Sequence, residues 1–209
     1  MFDFETGEVI LIDKPLDWTS FDTVNFIRSL VNRCYGIRKL KVGHAGTLDP
    51  LATGLLILCT GKMTKQIDTY QGQVKTYTGT ILLGQTTPTF DLESEPDAFY
   101  PTDGITAEQI EAARQLFLGD LKQYPPKYSA IKIKGKRAFD YARSDEEIEL
   151  KARDVRIDDF NILAFGVSWC VDHVVAMRGQ LRPYQIAACA DLKSSVYILL
   201  KMSFNCVVF

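Results

Sequence analysis

The segment VKTYTGTILL, residues 74–83, constrains the fold of this chain more than any other segment. It is rich in β-branched and aromatic residues, which predicts a strand from Val74 to Leu83. Two other stretches favour strands, namely Val9 to Ile12, which is predicted to be buried, and EIELKARDVRIDDFNIL, which alternates. The apolar run Leu55 to Leu58 suits either a buried strand or a short helix. TPTFDLESEPDAFYPTDG, with its prolines and acids, is predicted to be an exposed excursion.

Two helices are predicted between these strands. The first lies in WTSFDTVNFIRSLVNR, with Ser20 as its cap. Its apolar residues recur at spacings of three and four: Phe21, Val24, Ile27, Leu30 and Val31. Thr106 and Gln109 have the spacing of a capping box at the start of the second helix, and a basic hairpin is predicted around Gly135. Strands mixed with isolated helices predict an α+β fold with a mixed, mainly antiparallel central sheet and flanking helices.

The composition is that of a soluble globular protein. Of 209 residues, 46% are hydrophobic and 24% are charged, which suits one domain with a buried core. No apolar run is long enough to span a membrane, and the start MFDFETGEV lacks the pattern of a signal peptide. The five cysteines are scattered without a CxxC pair, which argues against a disulfide framework or a zinc site. We therefore expect a cytoplasmic protein that needs no metal and no membrane.

The charges are unevenly distributed along the chain. Residues 28–41 contain five basic residues and no acid, and residues 127–143 contain six basic residues and one acid. Residues 76–113 contain seven acids and neither lysine nor arginine. The two basic segments suit a polyanion, which the acidic segment would repel. The alternative is that these charges only solvate the surface.

The stretch GHAGTLDPLATGLL, residues 43–56, leaves two roles open for its aspartate. Pro50 biases Asp49 toward an extended or turn conformation, and a partly desolvated carboxylate on such a loop can act as a nucleophile or base. The alternative is that Asp49 caps the turn that follows, which is a frequent role for aspartate. His44, taken alone, is more often a hydrogen-bonded structural residue than a catalyst.

The same stretch resembles the signature of the TruB family of tRNA pseudouridine synthases, G-H-x-G-T/A-L-D-P-L-A-T-G. Four other segments resemble family motifs in the family's order: LIDKP, KTYTGTILLGQTT, PPKYSAIKIKGKRAFDYAR and KARDVRIDDFNIL. The resemblance covers residues 8 to 163. It implies a pseudouridine synthase-like fold and a catalytic domain over residues 1–164.

The resemblance also implies an activity. The family isomerises a uridine in the T-loop of tRNA to pseudouridine by breaking the glycosidic bond and rejoining the base through carbon, without a cofactor or metal. By the match, Asp49 is the nucleophile, Tyr77 stacks on the uridine and His44 packs near it once the base has left the RNA stack. Lys14 supports the site.

RNA binding is expected from the basic segments. Tyr128, Lys132 and Lys134 on the hairpin, together with Arg38, Lys39 and Lys41, are interpreted as contacts to the tRNA T-arm, because RNA of this kind is bound mainly through its backbone and shape. An exposed basic hairpin without this role is the alternative. We expect the protein to act as a monomer.

Residues 165–209 do not fit the resemblance. The family carries a late motif close to K-G-T-Y-I-R, whose arginine pairs with the catalytic aspartate, and LKSSVYILLK has Leu199 where that arginine is wanted. Arg178 and Arg182 are the possible substitutes. We also expect the C-terminal RNA-binding appendage of the family to be missing. We interpret this tail as frame-shifted or otherwise altered, and a catalytically silent tRNA-binding protein, or a product without function, remains an alternative.

Overall fold

The computed structural model describes residues 2–88, 92–123, 132–133, 135–138, 141, 144, 150–164, 173–179 and 198–208. The chain forms two compact units. The first comprises Met1–Tyr77 and Ser203–Phe209, and the second comprises Thr78–Met202.

Strand β3 (Thr53–Thr60) is the centre of the first unit. It pairs antiparallel with β1 (Val9–Lys14) and with β2 (Val42–His44), and parallel with β12 (Ile198–Val208), which contributes its last residues to this unit. The apolar run is therefore a strand, which resolves the choice left open by the sequence. Leu58 and Cys59 are fully buried within it, as expected for a strand with neighbours on both sides.

Helix α1 (Ser20–Tyr35) begins one residue earlier than the sequence predicted. Thr19 is the cap: its hydroxyl accepts a hydrogen bond from the Asp22 N–H, and the Asp22 carboxylate accepts one from the Thr19 N–H. This reciprocal pair is a capping box, and it leaves the hydroxyl of Ser20 available for other partners. Val24 is buried as predicted, whereas Phe21 is 58% exposed because the buried face of the first turn is formed by Ser20 instead.

Strand β1 is confirmed, but its predicted burial is wrong. Side chains alternate across a strand, and those of Val9 and Leu11 are exposed while that of Lys14 is completely buried. The first unit also contains a 3-10 helix, Gly61–Gln66, and the short helix α2, Ile67–Gln71.

The second unit contains a sheet whose strands are β4 (Lys75–Leu83), β7 (Gly119–Gln123), β10 (Arg153–Ala164) and β11 (His173–Gly179). The first residues of β4 belong to the first unit. The strand order is β4-β11-β10-β7, and β10 pairs antiparallel with both β7 and β11. Two short ladders accompany it, β5 (Gln85–Thr86) with β6 (Ala98–Phe99) and β8 (Lys132–Ile133) with β9 (Lys136–Arg137).

Helix α3 (Ala107–Gln115) completes the second unit. Its cap is Thr106, in a capping box with Gln109, as predicted. The hairpin around Gly135 is confirmed by the β8–β9 ladder, and KARDVRIDDFNIL forms the single strand β10. The predicted excursion, residues 87–104, contains strand β6, which pairs with β5 just before the excursion begins. Its residues 89–91 lie outside the described residues. Among the described strands, the antiparallel pairs, the parallel pair of β3 with β12 and the separate helices confirm the predicted α+β fold class.

Candidate active site

Asp49 lies in the loop that joins β2 to β3, and its side chain is half-buried. A turn follows it directly, closed by a hydrogen bond of 3.0 Å from the Ala52 N–H to the Asp49 carbonyl. The carbonyl of Pro50 accepts a bond of 2.9 Å from the Asp17 N–H. The second of these hydrogen bonds connects the loop to the segment that joins β1 to α1, and together the two bonds hold the backbone on the C-terminal side of Asp49 in place.

Lys14, at the end of β1, is buried beneath this loop. Its ammonium donates hydrogen bonds to three carbonyls, those of Trp18 at 2.6 Å, Pro15 at 2.9 Å and Pro50 at 3.4 Å. Burial lowers the pKa of Lys14, and nearby carboxylates, that of Asp49 before those of Asp17 and Asp22, oppose the shift. The same attraction favours the ionised form of the Asp49 carboxylate. The charges of Lys14 and Asp49, two of the predicted site residues, are therefore near enough to attract each other.

His44 ends strand β2 and is half-buried. Its Nδ1 lies 2.5 Å from the carbonyl oxygen of Gly46. Because a carbonyl can only accept, Nδ1 must carry a proton, and in the neutral ring Nε2 is then an acceptor. Gly46 has a φ of 125°, which favours glycine at this position. The glycine thus allows the backbone to turn back and fix the orientation of the imidazole.

Tyr77 lies in β4 at the end of the first unit, the unit that also contains Lys14, His44 and Asp49. The residue is only 2% exposed. A base can stack on this ring only after the groups that cover it move. Of the remaining predicted site residues, Tyr128, Lys134 and Arg182 are outside the described residues, and so are the side chains of Lys132 and Arg178.

An exposed basic surface precedes the site in the chain. Arg38, Lys39 and Lys41 in the link between α1 and β2 are all exposed. Arg28 is less exposed than these three residues, because it is half-buried and its guanidinium donates a hydrogen bond of 2.8 Å to the Val42 carbonyl. That bond holds α1 against β2. The exposed cations lie in the short link between these two elements and directly precede the strand that ends at His44.

The sequence predicted Ser20 to be the cap of α1, and this prediction is wrong because Thr19 is the cap. The structure places the hydroxyl of Ser20 against the backbone of Leu48, the residue before Asp49. The sequence signal for the true cap is the neighbouring Thr19, because Thr19 and Asp22 have the spacing of a capping box.

Within the described part of the chain, no group of three or more histidine, cysteine, aspartate or glutamate residues is placed to hold a metal ion. The helices of that same part include none that is long and apolar enough to cross a membrane.

Comparison with known proteins identifies relatives. The profile described as TruB family pseudouridylate synthase (N terminal domain) matches residues 32–180. A protein of Phocaeicola vulgatus named tRNA pseudouridine synthase B is 52% identical over 176 residues, which cover 84% of this chain and 75% of the relative. A protein of the same name from Parabacteroides distasonis is 50% identical over 177 residues, covering 85% of this chain and 75% of the relative.

Solved structures show the same fold. A chain in the structure titled "Crystal Structure of a Cbf5-Nop10-Gar1 Complex" matches with a TM-score of 0.61 and 20% identity, over 98% of this chain and 49% of that chain. At this identity the likeness supports the fold alone. The family profile covers well over half of the sequence, and relatives about 50% identical cover more than four fifths of it. The chain therefore belongs to the TruB family of pseudouridylate synthases.

Proposed function

We propose that this protein isomerises a T-loop uridine of tRNA to pseudouridine, with Asp49 as the nucleophile. The observation that carries the proposal is the placement of Asp49 in the family's signature loop, with the buried ammonium of Lys14 beside it. In the reaction the bond from N1 to C1′ breaks and a bond from C5 to C1′ forms. C5 loses a proton and N1 gains one, so that neither an oxidant nor a net water molecule is required.

Each of the proposed site residues has a separate role in this reaction. The Asp49 carboxylate forms a bond to the uridine, at the sugar or at the ring, and this bond breaks again before the product leaves, so that the carboxylate is regenerated. The Lys14 ammonium favours the ionised form of the carboxylate. The target base must leave the RNA stack to reach Asp49. Tyr77 then stacks on the base, which requires its ring to be uncovered. His44, oriented by Gly46, packs beside the flipped nucleotide.

Binding of the T-arm uses the cations near this site. Arg38, Lys39 and Lys41 are exposed and lead into the strand of His44, and phosphates are the groups that such cations contact. Lys132 and Tyr128 on and before the β8–β9 hairpin are proposed to extend this contact. We propose that the protein acts in the cytoplasm as a monomer.

Release of tritium tests the proposed reaction. RNA that carries 5-tritiated uridine in a T-arm hairpin loses its label when the new carbon bond forms at C5. We expect the wild-type protein to release tritium and Asp49→Asn to release none. Asp68→Asn, which neutralises an exposed aspartate of α2 in the same unit, is the matched control and should behave as wild type. Equal release by wild type and Asp49→Asn would refute Asp49 as the nucleophile.

A second candidate function is tRNA binding without catalysis. The observation that favours it is Leu199, which stands where the family's late motif has the arginine that pairs with the catalytic aspartate. A carboxylate without that cation is less stable as an anion. Binding of the T-arm hairpin, measured by fluorescence anisotropy, without tritium release from wild type would establish this second function and reject the first.

A further inference from the structure

The hydroxyl of Ser20 makes two hydrogen bonds to one residue. The Leu48 N–H donates to the Ser20 Oγ at 2.9 Å, and the Ser20 hydroxyl donates to the Leu48 carbonyl at 3.0 Å. Ser20 is 3% exposed and Leu48 is 4% exposed, so that water cannot readily replace either bond. A single side chain therefore satisfies both polar groups of a buried backbone residue.

We propose that Ser20 is a positioning residue, which sets the direction of the Asp49 side chain by holding the backbone of Leu48. The proposal rests on the proposed function. On the other side of Asp49, the Pro50 carbonyl is held by the Asp17 N–H and by the Lys14 ammonium. Asp49 is thus the residue between two anchored neighbours, and Ser20 supplies the anchor on the N-terminal side.

Serine is suited to this position by its chemistry and by its place in the helix. A hydroxyl donates and accepts at the same time, whereas alanine does neither and would leave two buried backbone groups without partners. Ser20 is also the first residue of α1, and the capping box of Thr19 and Asp22 fixes that end of the helix. The hydroxyl consequently projects from a rigid element, which is the arrangement that holds a reactive group to within fractions of an ångström.

The proposal predicts a specific kinetic effect of Ser20→Ala. Loss of the anchor should lower kcat for tritium release by about 10- to 100-fold, since displacing a reactive group by about 1 Å has effects of this size. The Kd for the T-arm hairpin should stay within about twofold of wild type, because the exposed cations of residues 38–41 are unchanged. Ser20→Cys, which keeps a weak donor and acceptor, should have an intermediate kcat.

Thr23→Val is the matched control. Thr23 lies one turn along the same helix and is 1% exposed, and its hydroxyl donates only within the helix, to the Thr19 carbonyl at 3.4 Å. Valine keeps its shape and removes the hydroxyl. This variant loses a buried hydroxyl of α1 without touching the Asp49 loop, and it should keep the wild-type kcat.

Hydrogen exchange tests the anchor independently of catalysis. The amide of Leu48, followed in a peptide that covers residues 45–49, should exchange at least about tenfold faster in Ser20→Ala than in wild type, as expected for the loss of two hydrogen bonds of ordinary strength. Thr23→Val should leave this peptide unchanged. Unchanged exchange in Ser20→Ala, or faster exchange with an unchanged kcat, would overturn the proposal.

The two readouts also separate this proposal from the proposed function. If wild type releases no more tritium than Asp49→Asn, the proposed function fails, and the exchange of Leu48 alone decides whether Ser20 anchors the loop. If Ser20→Ala does not fold, Ser20→Cys supplies both measurements, with smaller effects in the same direction.

Discussion

Replacing Lys14 by methionine should destabilise the protein, even though the substitution removes a buried charge. The Lys14 side chain has no exposed surface, and its ammonium donates to the carbonyls of Trp18, Pro15 and Pro50. Methionine has a similar length and no charge, so it can fill most of the space without satisfying any of these carbonyls. The variant therefore isolates the contribution of the ammonium.

The size of the effect follows from opposing contributions. Two of the three hydrogen bonds are short, and bonds from a charged donor contribute about 1.5–3 kcal/mol each, or about 3–6 kcal/mol together. Removing the ammonium also removes the cost of burying its charge, which is several kcal/mol. The carbonyls left behind keep their own desolvation penalty. We expect the free energy of unfolding to fall by about 1–3 kcal/mol.

Urea denaturation followed by circular dichroism measures this difference. Lys65→Met, which removes an exposed ammonium from the 3-10 helix, is the control and should stay within about 0.5 kcal/mol of wild type. A Lys14→Met variant that is as stable as Lys65→Met would refute the reasoning. It would mean that the charge is buried at a cost equal to everything its hydrogen bonds contribute.

Two further predictions concern titratable groups. Hydrogen bonds from Arg114 and Gln115 lower the pKa of Glu111 in α3 from 4.5 to about 2. A group whose pKa is lowered by folding stabilises the fold above its unfolded pKa, and this contribution is lost as the pH falls from about 4.5 to about 2. Glu111→Gln should therefore be less stable than wild type at pH 7, and the difference in urea midpoint should shrink by pH 3; a difference that stays constant would contradict this. For the thiols, burial raises the pKa of Cys59, whereas Cys34 is exposed. Brief treatment of the native protein with iodoacetamide, read by peptide mass spectrometry, should label Cys34 and leave Cys59 unlabelled until the protein is unfolded; equal labelling of both in the native state would contradict the burial of Cys59.

Local sequence patterns predicted several of the elements, but they did not predict which faces of these elements are buried. The strands at residues 9–14 and 75–83 and the capping box at Thr106 were predictable because each depends on neighbouring residues. The exposure of Phe21 and Leu11 was not, because it depends on which other element packs against each face. An apolar side chain has the same local pattern whether or not a partner covers it.

The residues of the candidate site also fall into those that the sequence identified and those that only the structure revealed. The resemblance singled out Asp49 and His44 from one continuous stretch. The partners that hold this stretch come from distant positions: Ser20 is 28 residues from Leu48, and Lys14 is 36 residues from Pro50. Such contacts are products of the tertiary fold. The family resemblance therefore singles out the proposed nucleophile, whereas sequence spacing does not identify the residues that hold its backbone.

The backbone around Asp49 helps to distinguish the two roles considered for this residue, stabilising a turn and supplying a charged carboxylate. Residues 49–60, all of them described, contain a turn and then strand β3, so a helix N-terminus is not what this aspartate would cap. The turn is closed through the carbonyl of Asp49, and its neighbours are held by Ser20 and Lys14. These hydrogen bonds are made by main-chain groups of residues 48–50, and the carboxylate of Asp49 adds its attraction for the Lys14 ammonium. Asparagine starts such turns as well as aspartate does, so Asp49→Asn keeps the turn and removes only the charge. Loss of tritium release with unchanged stability in that variant would therefore show that the position requires a carboxylate for the reaction and not for the fold.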